Sequence, residues 1–307
     1  MVSLVLQVWG QFWCRINGRR QLVALIRGCA YGVRLMRELA LTIGIFLLGL
    51  GLRSFGNTVT RKLGAVAILA GSFLGAYFLA DGSVVAGCLG VATWFLLPWI
   101  EILGRIRHMR QPLRRMVQSC RAPRRQEFPM LADLTREIEE CGFTCGEDLG
   151  WEHGEFSQFM RLFLESSGHV VVALSFARQH GQGFAFVTLT TQAQDGRVFR
   201  TTNLPFGDAM ALPPHHSIRR QTNAESFAEM VASHALWLER EGVPEAFRVS
   251  MTMEVVPAFL EREVVAQVEH NLERGIIRPA EQATFRYSWR GFVFLWWRMV
   301  RDMVRLA

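Results

Sequence analysis

Chemistry in this chain of 307 residues is sought first among histidines, cysteines and carboxylates, which supply general bases, nucleophiles and metal ligands near neutral pH. His215 and His216 follow Pro213-Pro214, downstream of the loop TTNLPFGD that ends at Asp208. These three are the candidate catalytic residues, an imidazole moving the proton and the carboxylate orienting or assisting it. Cys141 and Cys145, spaced CxxxC, are the candidate metal ligands, with the distant histidine pair as imaginable partners. The pattern argues against a metal, because structural zinc draws on two tight ligand pairs and adjacent histidines on an extended chain point apart. Neither a metal nor a cofactor is expected. No GxSxG motif accompanies the histidines, and WEHGE (Trp151 to Glu155) lacks the second histidine of HExxH. HGQGF (His180 to Phe184) reads as a hairpin turn rather than a phosphate cradle. His234 falls on the apolar face of a helical pattern and is expected to be a hydrogen-bonded core histidine.

The elements that position these residues belong to an α+β domain. LADLTREIEECGF puts Leu131, Leu134, Ile138 and Cys141 at helical spacing, with Gly142 as the C-terminal cap. Strands are expected at His169 to Arg178, Gly183 to Gln192 and Arg197 to Asn203, joined by turn sequences such as Asp195-Gly196. With an earlier strand near Phe143 to Trp151 they make an antiparallel β meander packed by helices. In the second strand Phe184, Phe186 and Thr188 share one face and Ala185, Val187 and Leu189 the other, so neither face is plainly wet. A short strand near Ser217 to Arg220 precedes a helix from Ala224 to Glu241, for which Thr222 and Glu225 have capping-box spacing. A further helix runs from Ala258 to Arg274 and ends at Gly275.

The N-terminal third is of another kind. Leu63 to Ala80 and Ser83 to Ile100 are two 18-residue runs without a charge, joined by Asp81-Gly82. Each approaches the roughly 20 residues that cross a bilayer, so the pair reads as a transmembrane helical hairpin. Residues 1–125 carry 17 basic and 3 acidic side chains, and residues 126–285 carry 12 and 23. Arginines beside apolar runs place both hairpin ends in the cytoplasm by the positive-inside rule. Gly64, Gly71 and Gly75 fall near one helical face, open to close packing against a neighbour. Residues 39–52 are apolar but short, leaving two to three membrane helices. Six scattered cysteines suit a reducing compartment.

The chain therefore divides into an amphipathic interfacial segment at 1–38, a transmembrane region at 39–103 and a basic juxtamembrane linker at 104–129. A soluble acidic domain at 130–285 and an amphipathic membrane-surface helix at 286–307 follow. Arg105, Arg107, Arg110, Arg114, Arg115, Trp289, Trp296, Trp297, Arg298 and Arg301 are expected at the membrane surface. Partners are the lipid bilayer and either a protein or a second copy of the chain. The acidic domain has no basic-aromatic surface for nucleic acid. The expected role is a non-enzymatic scaffold or accessory subunit at the cytoplasmic face of the inner membrane. A membrane-bound hydrolase using a loop histidine is the alternative, and a transport-complex subunit the next.

Overall fold

The computed structural model describes residues 36–55, 57–114, 117–154, 156–179 and 181–306. The segment 1–38, save its last three residues, therefore lies outside the described residues, as do Arg115 and His180. The chain forms two units, one up to Leu97 and one from Pro98 to Leu306.

In the first unit three helices follow one another: α1 over residues 36–53, α2 (Thr58–Leu79) and α3 (Val84–Gly104). Asn57 starts α2 by accepting a hydrogen bond from the Val59 amide at 2.9 Å. Asp81 and Gly82, both at positive φ, turn the chain, and Ser83 Oγ then accepts from the Ala86 amide at the start of α3. Val59–Leu79 and Val84–His108 are long and apolar enough to cross a membrane, and only 11% and 17% of their apolar windows are buried. A core helix of a water-soluble protein would bury most of that surface. Residues 39–52 are helical within α1, flanked by Arg37, Glu38 and Arg53.

The glycine face of α2 is occupied by α1. A Cβ on Gly64 would meet the Gly49 carbonyl oxygen at 2.6 Å, one on Gly71 the Phe46 ring at 3.0 Å, and one on Gly75 Thr42 at 3.3 Å. Close approach of this kind gives apolar helices the contact that lipid cannot supply. Between α2 and α3 the Trp94 indole N–H donates to Ser72 Oγ at 2.8 Å.

The second unit is built on a seven-stranded sheet in the order β2-β3-β4-β5-β6-β7-β8. Its strands are β2 (Gln118–Ser119), β3 (Phe143–His153), β4 (Phe156–Glu165), β5 (Val171–Gln179), β6 (Gln182–Gln192), β7 (Val198–Thr202) and β8 (His216–Arg220). Every pairing is antiparallel except β7 with β8. The meander is thus present and longer than expected. FSQFMRLFLE alternates so weakly that β4 escaped the sequence reading, because both of its faces are covered. Phe159 and Phe163 pack with Phe143, Val172, Leu174 and Leu189 beneath α4 (Leu131–Glu140) and α5 (Phe227–Arg240). Leu162 and Val171 face the opposite side, against Val256 and Phe259 of α6 (Val256–Glu273). Complete burial of a side chain like Phe163 stabilises by about 1.5–3 kcal/mol.

Helix α5 begins at Phe227, three residues later than expected from the sequence. Ser226, not Thr222, is the N-cap, accepting from the Glu229 amide at 3.2 Å, while Glu137 of α4 accepts from the Phe227 amide. The choice follows from Phe227, whose burial fixes where the first turn must lie. Gly142, Gly242 and Gly275 end α4, α5 and α6 at positive φ.

Residues 104–129 do more than tether. They supply β1 (Gln111–Pro112) to a small sheet with β9 (Ile277–Ala280) and β10 (Thr284–Tyr287), and β2 to the edge of the large one. The terminal helix α7 (Trp289–Leu306) buries Phe292, Leu295 and Val300, the first two packing with Ile102, Ile277, Phe285 and Tyr287. Trp289, Val293, Trp297 and Val304 remain exposed on its other side.

Candidate functional site

Of the three residues proposed for catalysis, the fold brings His215 and His216 to a carboxylate, but not to Asp208. A turn closed by the His216 amide on the Pro213 carbonyl sets both histidines at the mouth of β8. Because His215 lies in that turn and not in a strand, the two rings meet edge to face with centroids 4.5 Å apart. The expectation that adjacent histidines diverge assumed an extended chain, and the proline turn removes that premise. His216 Nε2 lies 2.5 Å from Glu263 Oε2 of α6, with both side chains buried. One donor atom from each of His215, His216 and Glu263 falls within 4.8 Å of the others. His216 Nδ1 is buried without a hydrogen-bond partner.

Two further residues hold the histidine loop, Asn271 of α6 and Tyr287 of β10. Asn271, fully buried one face-repeat beyond Glu263, donates to the Ala211 carbonyl at 2.7 Å and accepts from the Ala211 amide at 2.9 Å. The Tyr287 hydroxyl donates to the Ala209 carbonyl at 3.1 Å. Burial raises the Glu263 pKa, but the His216 hydrogen bond and the nearby charges of His216, Arg200 and His215 outweigh it and leave it below the usual carboxylate range.

Arg200 stands beside this group, on the face of β7 that carries Val198 and Thr202, with Ile218 of β8 directly opposite it. Among the described residues its guanidinium has no hydrogen-bond or ion-pair partner, although Glu263 and Asp208 lie close enough to attract it. Burial pushes its pKa down, against the pull of those two carboxylates. Asp208 is engaged elsewhere: Arg220 Nη2 reaches it at 2.5 Å and Arg298 Nη2 at 3.3 Å. Glu263, and not Asp208, is therefore the carboxylate hydrogen-bonded to His216. Its signal was present in the sequence, since a glutamate in phase with Val256 and Phe259 on a helical stripe needs a buried partner. Arg200, in the strand VFRTT, carries a weaker version of the same signal.

Cys141 and Cys145 are free thiols, half-buried at the end of α4 and in β3, and burial is the first cause raising both pKa values. Neither belongs to a cluster of potential metal ligands among the described residues. His234 is held by two threonines, Nδ1 to Thr201 Oγ1 at 2.7 Å and Nε2 to Thr191 Oγ1 at 3.0 Å. A separate cleft of about 560 Å³, lined among others by Arg114, Cys120, Trp151, Gln158 and Arg178, does not include the histidine pair.

Of the expected membrane-surface residues, Arg105, Arg107, Arg110 and Arg114 are exposed, as are Trp289, Trp297 and Arg301. Trp296 is half-buried against Trp99, with ring centroids 6.3 Å apart, and Arg298 reaches Asp208. The chain matches none of the protein families, curated proteins and solved structures with which it was compared.

Proposed function

We propose that this chain is a membrane-anchored scaffold or accessory subunit, whose α+β unit binds a protein partner at the cytoplasmic face of the inner membrane. The carrying observation is the pair of long apolar helices, largely unburied within the protein, continuous in sequence with a sheet unit whose residues 126–285 carry 12 basic and 23 acidic side chains. Arginines flank both helix ends, which favours the cytoplasmic side for that unit. The exposed row Trp289, Val293 and Trp297 on α7, bordered by Arg290 and Arg301, supports a second contact with lipid headgroups. Phe184 and Phe206, both exposed and in edge contact with each other, offer an apolar patch for a partner. The full chain extracted in mild detergent is expected to run as a stoichiometric complex with a second protein or with itself. A monomer with no companion at every detergent concentration tested would count decisively against this reading.

The His216–Glu263 pair favours a second reading, a membrane-bound hydrolase in which Glu263 orients His216 as general base. Among the described residues no serine, threonine or cysteine side chain hydrogen-bonds either histidine, so an attacking water would have to serve. Hydrolysis of ester, phosphoester or peptide substrates by the full chain should then disappear in Glu263→Gln. Equal rates in the two proteins would exclude it.

A further inference from the structure

Three separate observations converge at one end of β8. His215, His216 and Glu263 each direct a donor atom into a common volume. His216 Nε2 and Glu263 share a 2.5 Å hydrogen bond inside the fold, and the half-buried Arg200 beside them has no hydrogen-bond or ion-pair partner among the described residues. Together these groups offer a cation its ligands and an anion its donor.

Two imidazoles and a carboxylate form the ligand set of open, three-coordinate zinc sites, in which the fourth position is left for water or a ligand. The dimensions suit this. Ligand atoms around a tetrahedral zinc, with bonds of about 2.0–2.2 Å, lie roughly 3.3–3.5 Å apart. The three donor atoms here all lie within 4.8 Å of one another, and His216 Nε2 sits 2.5 Å from Glu263 Oε2. Zinc between them would replace the His216–Glu263 hydrogen bond by a metal bond to each. His215, exposed where its two companions are buried, gives the cation its route from solvent.

Charge then dictates what fills the fourth position. A divalent ion, one carboxylate and the Arg200 guanidinium leave a surplus of positive charge in a poorly solvated place, and Asp208, already shared by Arg220 and Arg298, does not remove it. An anion neutralises the surplus and supplies Arg200 with its missing hydrogen bonds. We propose that His215, His216 and Glu263 bind one divalent transition-metal ion of the zinc class, and that Arg200 beside them binds the oxyanion group, phosphate or carboxylate, of the ligand completing its coordination. The site stands whether or not it is catalytic, because its test reads binding rather than turnover.

The test uses the full chain in detergent, stripped with a chelator. Calorimetry with Zn²⁺ should show one ion per chain, and His215→Ala should weaken binding at least tenfold. Since His215 is exposed, its variant should melt at the same temperature as the metal-free parent, which separates loss of a ligand from loss of the fold. Substituted Co²⁺ should give an absorption spectrum of nitrogen and oxygen ligation that shifts on adding inorganic phosphate or acetate. The anion that shifts it identifies the ligand class. Arg200→Gln should keep the metal and lose the anion response, and Arg200→Lys should recover part of it. The proposal is overturned by the absence of stoichiometric zinc binding, by equal affinity in His215→Ala, by dependence on Cys141 and Cys145 instead, or by a cobalt spectrum indifferent to both anions.

Discussion

His234 shows what a buried imidazole does when two threonines satisfy it. Burial, then the charges of Arg248 and Arg219, depress its pKa from 6.5 to about 4. The unfolded chain therefore takes up this proton at higher pH than the folded one. Stability from this residue is complete above about pH 6.5 and declines as pH falls toward about 4, by a total on the order of 3 kcal/mol. Urea unfolding of the chain in detergent should show that decline between pH 7 and pH 4, and His234→Gln should flatten it. Identical pH dependence in the two proteins would rule the residue out as its source. Asn271 tests the histidine loop in the same way. Replacing it by alanine strands the Ala211 amide and carbonyl, costing about 1–3 kcal/mol, and should raise hydrogen exchange at residues 209–216 first. His234 was legible because an apolar stripe announces the burial of whatever residue it contains. The partner of His216 was not, since Glu263 lies 47 residues further on and only the docking of α6 onto the sheet brings them together.

At the scale of elements, caps and close contacts decide boundaries that propensity leaves loose. Ser226→Ala removes the side-chain acceptor at the start of α5 and should lower stability by about 1 kcal/mol, whereas Thr222→Ala should change little. A thermal melt of both variants distinguishes the two caps. Gly64 faces the Gly49 carbonyl so closely that Gly64→Leu must separate α1 from α2. The expected sign is faster proteolysis after Arg53 in membranes, with the α+β unit still folded. The small-residue face reserved for a neighbour was thus real in the sequence, but composition does not say whether the neighbour belongs to the same chain. The strand β4 was missed for a related reason. Alternation marks a strand only when one of its faces meets water, and here α4–α5 and α6 cover both.

For the whole molecule the decisive prediction concerns topology. With Asp81→Cys, an impermeant maleimide should label intact cells from outside, whereas Arg121→Cys should react only after the membrane is opened. Labelling of both from the same side would remove the hairpin. The sequence by itself determined that two apolar runs form adjacent helices, that an α+β domain acidic over residues 126–285 follows, and where the turns on either side of β6 fall. These depend on local pattern: run length against bilayer thickness, glycine at positive φ, and apolar spacing along helices. Only the tertiary structure decided that β8 pairs in parallel with β7, that residues 104–129 supply strands to two sheets, and that the C-terminal helix buries Phe292, Leu295 and Val300 in the protein's own core. It alone placed His215, His216, Glu263 and Arg200 together. Pairings between distant residues arise from packing many surfaces at once, and no window of neighbouring residues carries that information.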